Sequence, residues 1–236
     1  MDERSLREAV CQANRDLAGT GLIVLAFGNA SAADRAAGVM AIKPSGATYR
    51  DLRPEDIVLV TLADGEALGP ARPSSDAPTH LRLYRAFEGI GGVVHTHSPY
   101  ATSWAQAGRP IPCLGTTHAD HFHGPVPVTR GLLAEEIATD YEANTGAVIV
   151  ERFRADGLDP LEVPGCLVAG HGPFVWGATV GEALANAIAL EHIAAIATHQ
   201  LALGPATELP PALLERHFSR KHGPGAYYGQ PVREPA

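Results

Sequence analysis

The chain has 236 residues, of which 45% are hydrophobic and 19% charged, the balance of an ordinary globular protein with one sizeable core. Its net charge of −8 argues against nucleic-acid binding, which requires a basic face, but leaves open an anionic small substrate in a local pocket. Cys11, Cys113 and Cys166 are spaced too widely for a metal knuckle or a disulfide framework, so we expect buried thiols in a reducing cytoplasm. No basic segment followed by an apolar stretch opens the chain, so no signal peptide is expected.

The first elements are predicted to be one helix followed by short strands. Apolar residues at helical spacing predict a helix over residues 6–17. Residues 22–27 are expected to form a short strand, and residues 28–31, which are small and polar, a turn. Further strands are predicted at residues 39–42 and 57–60.

The middle of the chain alternates between the two types of element. A helix is predicted to start near Pro78, with Ser75 or Asp76 near its cap, and another helix is expected over residues 99–107. Residues 116–123 are dense in polar groups and are interpreted as a loop, which is either solvated or part of a site. A helix is expected at residues 134–144 and a strand at 147–153.

The final third is predicted to be helical, over residues 181–203 and 210–222. Asn186, Glu191 and His192 interrupt the longest apolar pattern, which is therefore typical of a buried amphipathic helix and not of a membrane span. Because strands and helices alternate along residues 1–236, the sequence predicts a layered α/β single domain. No glycine-rich dinucleotide or P-loop fingerprint follows a predicted strand, so no nicotinamide cofactor is expected.

Two histidines one residue apart end the run Gly92-Val93-Val94-His95-Thr96-His97. In a strand, alternate side chains share a face, so His95 and His97 point the same way and can bind one metal ion. The simpler alternative is that they are ordinary polar residues at a strand end. His171 follows another apolar run, and three histidines with an open fourth position are the ligand set of a catalytic zinc.

Three short loops offer backbone amides, hydroxyls and side-chain amides that can bind an anion. Taken singly, each is more simply a turn, but together with a metal site they indicate a phosphate pocket. Asp76, which follows the third loop, is a metal ligand, a base or a helix cap, and the cap is the simplest of these. The loops contain Gly28 and Asn29, then Ser45 and Gly46 beside Lys43, then Ser74 and Ser75.

Several blocks that run nearly from end to end carry a family resemblance. They are Gly28-Asn29-Ala30-Ser31, Ile42-Lys43-Pro44-Ser45-Gly46, Pro73-Ser74-Ser75-Asp76-Ala77-Pro78-Thr79-His80, Val94-His95-Thr96-His97-Ser98, Gly115-Thr116-Thr117-His118-Ala119-Asp120, His171-Gly172-Pro173-Phe174, Lys221-His222-Gly223 and Ala226-Tyr227-Tyr228-Gly229-Gln230. The chain resembles the class II zinc aldolase/epimerase superfamily, to which adducin-like modules also belong. Within the superfamily it resembles the L-ribulose-5-phosphate 4-epimerases, enzymes of arabinose catabolism.

The resemblance implies a single-domain α/β/α fold with a central mixed, largely antiparallel sheet, assembled as a homotetramer with active sites between subunits. The C-terminal helix and tail, about residues 210–236, would contribute to a neighbour's site. Asp120 and Tyr228 would be the proton donors and acceptors. His121 and His123 depart from the aromatic residues expected there. The ligands of Zn²⁺, Mn²⁺ or another divalent metal would be His95, His97, His171 and conditionally Asp76. The 5-phosphate would be held by Gly28, Asn29, Lys43, Ser45, Gly46, Ser74 and Ser75.

The implied reaction inverts C4 of a 2-ketopentose phosphate. The C4 hydrogen is not adjacent to the carbonyl, so simple deprotonation is unavailable, and without a nicotinamide the remaining route is retro-aldol cleavage of C3–C4 followed by re-addition. A divalent metal acts there as a Lewis acid. The alternatives are an aldolase of the same superfamily acting on fuculose or rhamnulose 1-phosphate, dehydration of a methylthio-sugar phosphate, and a non-catalytic adducin-like module. The retained histidines argue against the last.

Overall fold

The computed structural model describes residues 2–228, which fold around one seven-stranded sheet. The strand order is β4-β3-β2-β1-β5-β7-β6, and every ladder in it is antiparallel. The fold class predicted from the sequence is therefore confirmed. The strands are β1 (Gly28–Asp34), β2 (Val39–Ile42), β3 (Val58–Thr61), β4 (Ala67–Leu68), β5 (Gly92–Thr96), β6 (Gly165–Leu167) and β7 (Pro173–Gly177).

Helices cover both faces of the sheet and complete a three-layer arrangement. One pair, α2 and α6, packs together on the face that carries Ser31 and Trp176, while α1 and α3 each pack against α7 on the opposite face. The helices are α1 (Glu3–Gly19), α2 (Ala77–Ala86), α3 (Pro99–Gln106), α4 (Thr116–Ala119), α5 (Ala134–Thr139), α6 (Tyr141–Asp156), α7 (Val180–Leu203) and α8 (Pro211–Ser219).

The prediction for residues 22–31 is wrong, because the strand begins where a turn was expected. Residues 22–27 contain no strand, and Leu25 has a positive φ of 57°, which a strand residue does not adopt. β1 starts instead at Gly28 and lies between β2 and β5, with Ala30 fully buried. A central strand that is covered on both faces has room only for small side chains at these positions. Packing therefore outweighs the local preference of these residues for a turn.

The prediction of a strand at residues 147–153 is also wrong. These residues lie in the middle of α6, which ends at Gly157 in the left-handed conformation that terminates helices. The apolar side chains of this run face the core of the protein. Val148 and Ile149 are almost fully buried, and Phe153 packs against Trp176. The single helix expected over residues 134–144 is divided at Asp140, whose φ and ψ of −142° and 69° are not helical.

Two further segments adjust the sequence-based expectations. The polar loop expected at residues 116–123 begins with the short helix α4. The predicted long C-terminal helix is present as α7, whose 24 residues are the only described helix long and apolar enough to cross a membrane by composition alone. It packs instead against β5, β7 and α3, as a core helix does.

Candidate active site

The site is built on one row of side chains across the middle of the sheet. Asn29 on β1 pairs with His95 on β5, and His95 pairs with Phe174 on β7. Residues directly opposite one another in a ladder share a face, so these side chains point to the same side, which α2 covers. The His95 ring stacks on Phe174 with ring centroids 4.1 Å apart. The orientation of the His95 imidazole is therefore fixed both by the strand register and by packing against Phe174.

His95, His97 and His171 converge at this row. One ring nitrogen from each lies within 4.8 Å of the others, and their ring centroids are 4.8 to 5.0 Å apart. His95 comes from β5, His97 follows that strand and His171 lies in the turn before β7. The strand alternation expected from the sequence and the β5–β7 pairing thus bring all three to one point.

The donor chemistry of the trio fits a divalent cation. His95 Nδ1 lies 2.9 Å from the carbonyl oxygen of Pro173, and a carbonyl can only accept, so Nδ1 carries the proton and Nε2 keeps a free lone pair. His171 Nδ1 is buried and has no hydrogen-bond partner among the described residues. An imidazole that is oriented by a backbone carbonyl, beside an unpartnered ring nitrogen, is the usual environment of a metal ligand.

Burial keeps the three imidazoles neutral. It lowers the pKa of His171 to about 4, and the neighbouring His95 and His97 act in the same direction. Burial likewise lowers the pKa of His95 and of His97 below the ordinary histidine value. Neutral imidazoles present lone pairs at neutral pH, which a metal requires of its ligands.

Buried histidines outside the trio predict how stability depends on pH. Burial lowers the pKa of His80 to about 3 and that of His118 to about 4. Between pH 6.5 and 4 the unfolded chain binds protons that the folded chain does not, so stability must fall as the pH falls through this window. For the metal-free protein we expect a loss of about 2 to 3 kcal/mol per such group.

Urea unfolding at pH 7.5, 6 and 5 measures this slope. His118→Gln, which removes one buried imidazole away from the trio, should give a flatter profile than the unmodified protein. If the free energy of unfolding falls equally with pH in the two proteins, His118 does not contribute to the pH dependence and its pKa is not lowered as stated.

Asp76 occupies the cap position of α2 without acting as a cap. Its side chain makes no capping hydrogen bond, and its Oδ2 accepts one from Asn29 Nδ2 at 2.7 Å instead. Burial works to raise the Asp76 pKa, but the neighbouring imidazoles and the Asn29 amide outweigh it and hold the pKa below its ordinary value. The carboxylate is therefore ionised and lines the same cavity as the histidines, which favours a role in the site over the capping alternative.

One cavity of about 280 Å³ joins the trio to the three anion-binding loops predicted from the sequence. Lys43 lines it although the residue is only 3% exposed, and burial lowers its pKa while the charge of Asp76 works in the opposite direction. Every residue predicted to hold the phosphate or the metal lines this cavity. They are Gly28, Asn29, Lys43, Ser45, Gly46, Ser74, Ser75, Asp76, His95, His97 and His171.

Asp120 and Tyr228 lie together, but apart from this cavity. Asp120 accepts hydrogen bonds from Arg220 at 2.7 and 3.0 Å and lies 3.0 Å from His217 Nδ1. The Tyr228 ring faces Arg220 and Lys221, at 5.0 and 4.7 Å from its centroid. Neither residue is among the described residues that line the metal cavity of the same chain. Gly229 and Gln230, which belong to the same predicted block, lie outside the described residues.

The cations around Asp120 determine its charge. Burial works to raise the Asp120 pKa, but the hydrogen bonds from Arg220 and His217 and the charge of Lys221 hold it below the ordinary value. His121 and His123, which depart from the aromatic residues expected at these positions, make their side-chain contacts with residues other than Asp120. His121 Nδ1 lies 3.4 Å from Asn186 Oδ1, and the His123 ring bridges Glu162 and Glu215.

Comparison with known proteins identifies the family. Residues 8–198 match the family described as the Class II Aldolase and Adducin N-terminal domain. The chain belongs to this family. Class II aldolases use a divalent metal, with which the histidine trio of this family member agrees.

Solved structures agree with the assignment to the class II aldolase family. An L-fuculose 1-phosphate aldolase matches 90% of this chain over 94% of its own, with a TM-score of 0.76 and 24% identity, which shows the shared fold. YgbL from Klebsiella pneumoniae, described with aldolase, epimerase and decarboxylase as candidate activities, is 25% identical over 92% of this chain and 99% of its own, with a TM-score of 0.70. An L-fuculose-1-phosphate aldolase from Thermus thermophilus is 26% identical over 86% of this chain and all of its own, with a TM-score of 0.66.

The sequence did not identify four residues that line the cavity of this class II aldolase-family protein: Ala26, Phe27, Tyr141 and Glu142. The Phe27 ring lies 5.9 Å from that of His97, and the Tyr141 ring 6.2 Å from that of His171. Tyr141 and Glu142 open α6, a start that the prediction of one continuous helix concealed. The predicted strand at residues 22–27 likewise gave Phe27 no reason to face the site.

Proposed function

We propose that the protein is a metal-dependent epimerase that interconverts L-ribulose 5-phosphate and D-xylulose 5-phosphate by breaking and re-forming the C3–C4 bond. The observation that supports this most is that one cavity is lined both by the histidine trio and by the predicted phosphate loops. A site for C–C bond cleavage beside a site for a phosphate is what this reaction needs.

His95, His97 and His171 would hold the metal, which we take to be Zn²⁺, with Mn²⁺ or another divalent ion as a substitute. When bound, the metal supplies Lewis-acid stabilisation of negative charge on the substrate oxygens. Asp76 would be a conditional fourth ligand. The loops would grip the 5-phosphate, so that the glycolaldehyde phosphate fragment stays bound while its carbonyl group turns over. Lys43 would supply the positive charge of this grip.

Asp120 and Tyr228 of a neighbouring subunit would handle the proton on the C4 oxygen. One takes the hydroxyl proton as the C3–C4 electrons move to C3, and the other returns a proton to the C4 oxygen when the bond re-forms on the opposite face. Because its pKa is held below the ordinary value, Asp120 is ionised and would be the proton acceptor in the resting enzyme. Because both residues lie apart from the cavity of their own chain, a partner's cavity is the place where they would act.

A homotetramer with interfacial sites is therefore part of the proposal, and residues 210–236 would reach the neighbour's site. Exposed apolar residues on α7 support an interface between subunits, since Ile188 is 43% and Ile196 40% exposed. We also propose a cytoplasmic location, which agrees with three free, buried cysteines.

The test of the reaction is a coupled assay for D-xylulose 5-phosphate formed from L-ribulose 5-phosphate. A second assay measures dihydroxyacetone phosphate released from fuculose or rhamnulose 1-phosphate. Turnover in the first and none in the second supports the epimerase. The reverse result replaces it with the aldolase, the second candidate, which is favoured by the likeness to the L-fuculose-1-phosphate aldolase from Thermus thermophilus.

Asp76 offers a way to shift the enzyme between these two reactions. In the resemblance on which the proposal rests, aldolases carry a glutamate at this position, which protonates the carbon fragment and lets it leave. Asp76→Glu adds one methylene, so the carboxyl group should reach that carbon. We expect release of dihydroxyacetone and glycolaldehyde phosphate to rise about tenfold relative to epimerisation, a change of about 1.4 kcal/mol in partitioning.

Asp76→Asn is the matched control, because it keeps the side-chain length and removes the acid. It should lower turnover without raising cleavage. If Asp76→Glu releases the cleavage products no faster than the unmodified protein, this account of Asp76 is wrong.

A further inference from the structure

Tyr49 lies directly beneath the phosphate loops without lining the cavity. It is 7% exposed, its hydroxyl donates a hydrogen bond of 2.5 Å to the carbonyl oxygen of Gly28, and its ring lies 5.0 Å from the ammonium of Lys43. Gly28 begins β1 and Lys43 directly follows β2, so a single side chain connects two of the three loops. Burial raises the pKa of Tyr49 to about 12, so the phenol keeps its proton and remains a donor.

Gly28, which pairs with Thr96 at the start of β1, has a backbone conformation that favours glycine. Gly28 has a φ of 137°, and a Cβ there would lie 2.7 Å from the carbonyl oxygen of His95, so only glycine fits. A glycine has no side chain to lock its own conformation. Because the peptide bond is planar, a hydrogen bond to the Gly28 carbonyl also fixes the orientation of the Asn29 amide. The Tyr49 hydroxyl therefore helps to orient the start of β1, where Gly28 and Asn29 line the cavity.

Lys43 has no ion pair among the described residues, and its recorded hydrogen bond is to its neighbour Pro44, at 3.3 Å. Its buried ammonium lies over the Tyr49 ring, whose negative face attracts it without consuming an N–H donor. Because one of the three N–H groups donates to Pro44, the other two stay available to an anion in the cavity, which Lys43 lines.

We propose that Tyr49 is a positioning residue for phosphate binding, which orients Gly28 through its hydroxyl group and Lys43 through its ring. The inference rests on the proposed function, because it takes the three loops to be the phosphate site. It predicts separable effects, since the hydroxyl acts on Gly28 and the ring on Lys43.

The experiment measures binding of inorganic phosphate by calorimetry to the Zn²⁺-loaded full chain, together with KM and kcat for L-ribulose 5-phosphate. Tyr49→Phe removes the hydroxyl and should weaken phosphate binding about threefold to tenfold. Tyr49→Leu also removes the ring and should weaken it by about a further threefold or more. The loss should appear in KM more than in kcat, and the amount of Zn²⁺ bound per chain should not change.

Tyr84→Phe is the matched control, since Tyr84 is a second buried tyrosine whose hydroxyl contacts Ser31 and not the phosphate loops. It should lower thermal stability as Tyr49→Phe does and leave phosphate affinity unchanged. Phosphate affinity within twofold of the unmodified protein in both Tyr49 variants, with Lys43→Met weakened, would overturn the role of Tyr49 alone. No phosphate binding by the unmodified protein would instead overturn the phosphate site itself, and this inference with it.

Discussion

Replacing His97 by asparagine should abolish metal binding and lower turnover at least about 1000-fold, on the order of several kcal/mol of lost transition-state stabilisation. Of the three histidines, His97 is the most exposed. Its ring centroid lies within 5.0 Å of those of His95 and His171. Asparagine is shorter and has no imidazole nitrogen to offer. Metal content by mass spectrometry and the epimerase assay, both on purified protein, measure the two effects.

The control for this substitution is His199→Asn, which also alters a histidine in a ring contact. His199 lies against Tyr100 at 5.6 Å, away from the trio, so its variant should keep metal and turnover. Thermal unfolding of His97→Asn should stay close to that of the metal-free unmodified protein. Full metal content in His97→Asn would show that the trio is not the binding site.

Asp120→Asn should lower turnover by about 100- to 10,000-fold, the range typical of a lost acid–base group, while metal binding stays intact. The amide oxygen can still accept from Arg220 Nε and His217 Nδ1, which both contact Oδ1, and only the bond from Arg220 Nη2 to Oδ2 is lost, so the fold around α4 should hold. It cannot take a proton from the C4 hydroxyl. A variant that loses metal as well as turnover would place Asp120 in a different role.

Mixed assemblies of these two variants test whether Asp120 acts across a subunit boundary. Co-expression of His97→Asn and Asp120→Asn chains with different tags should restore about a quarter of the unmodified activity, because in a ring of two-subunit sites one site in four then combines an intact trio with an intact Asp120. Each variant alone stays inactive. No recovery in purified mixed assemblies would contradict the interfacial site.

The convergence of His95 and His97 could be predicted from the sequence because it follows from a short-range rule, whereas the position of His171 depends on the pairing of β5 with β7. His95 and His97 are two residues apart at the end of a strand, and the period of a strand places them on one side. The role of Asp76 could be predicted less clearly, because a residue at this position can also cap a helix. Its contact with Asn29 depends on how α2 packs against β1. Sequence spacing contains no information about that junction.

The errors have a common physical cause in tertiary packing. Small residues at the start of β1 indicate a turn when read alone, yet they suit a strand that is covered on both faces. The apolar run in α6 has strand propensity and forms a helix because its side chains pack against α2 and Trp176. Tyr49 gave no signal at all, since its contact with Gly28 exists only after β1 and β2 pair.

The most direct test of the account is a titration of chelated protein with Zn²⁺, in which bound metal and epimerisation of L-ribulose 5-phosphate are followed in the same samples. The account predicts that both are absent in the chelated protein, rise together and saturate at one ion for each chain. Full epimerisation by the chelated protein, or saturation with metal without epimerisation, would contradict it.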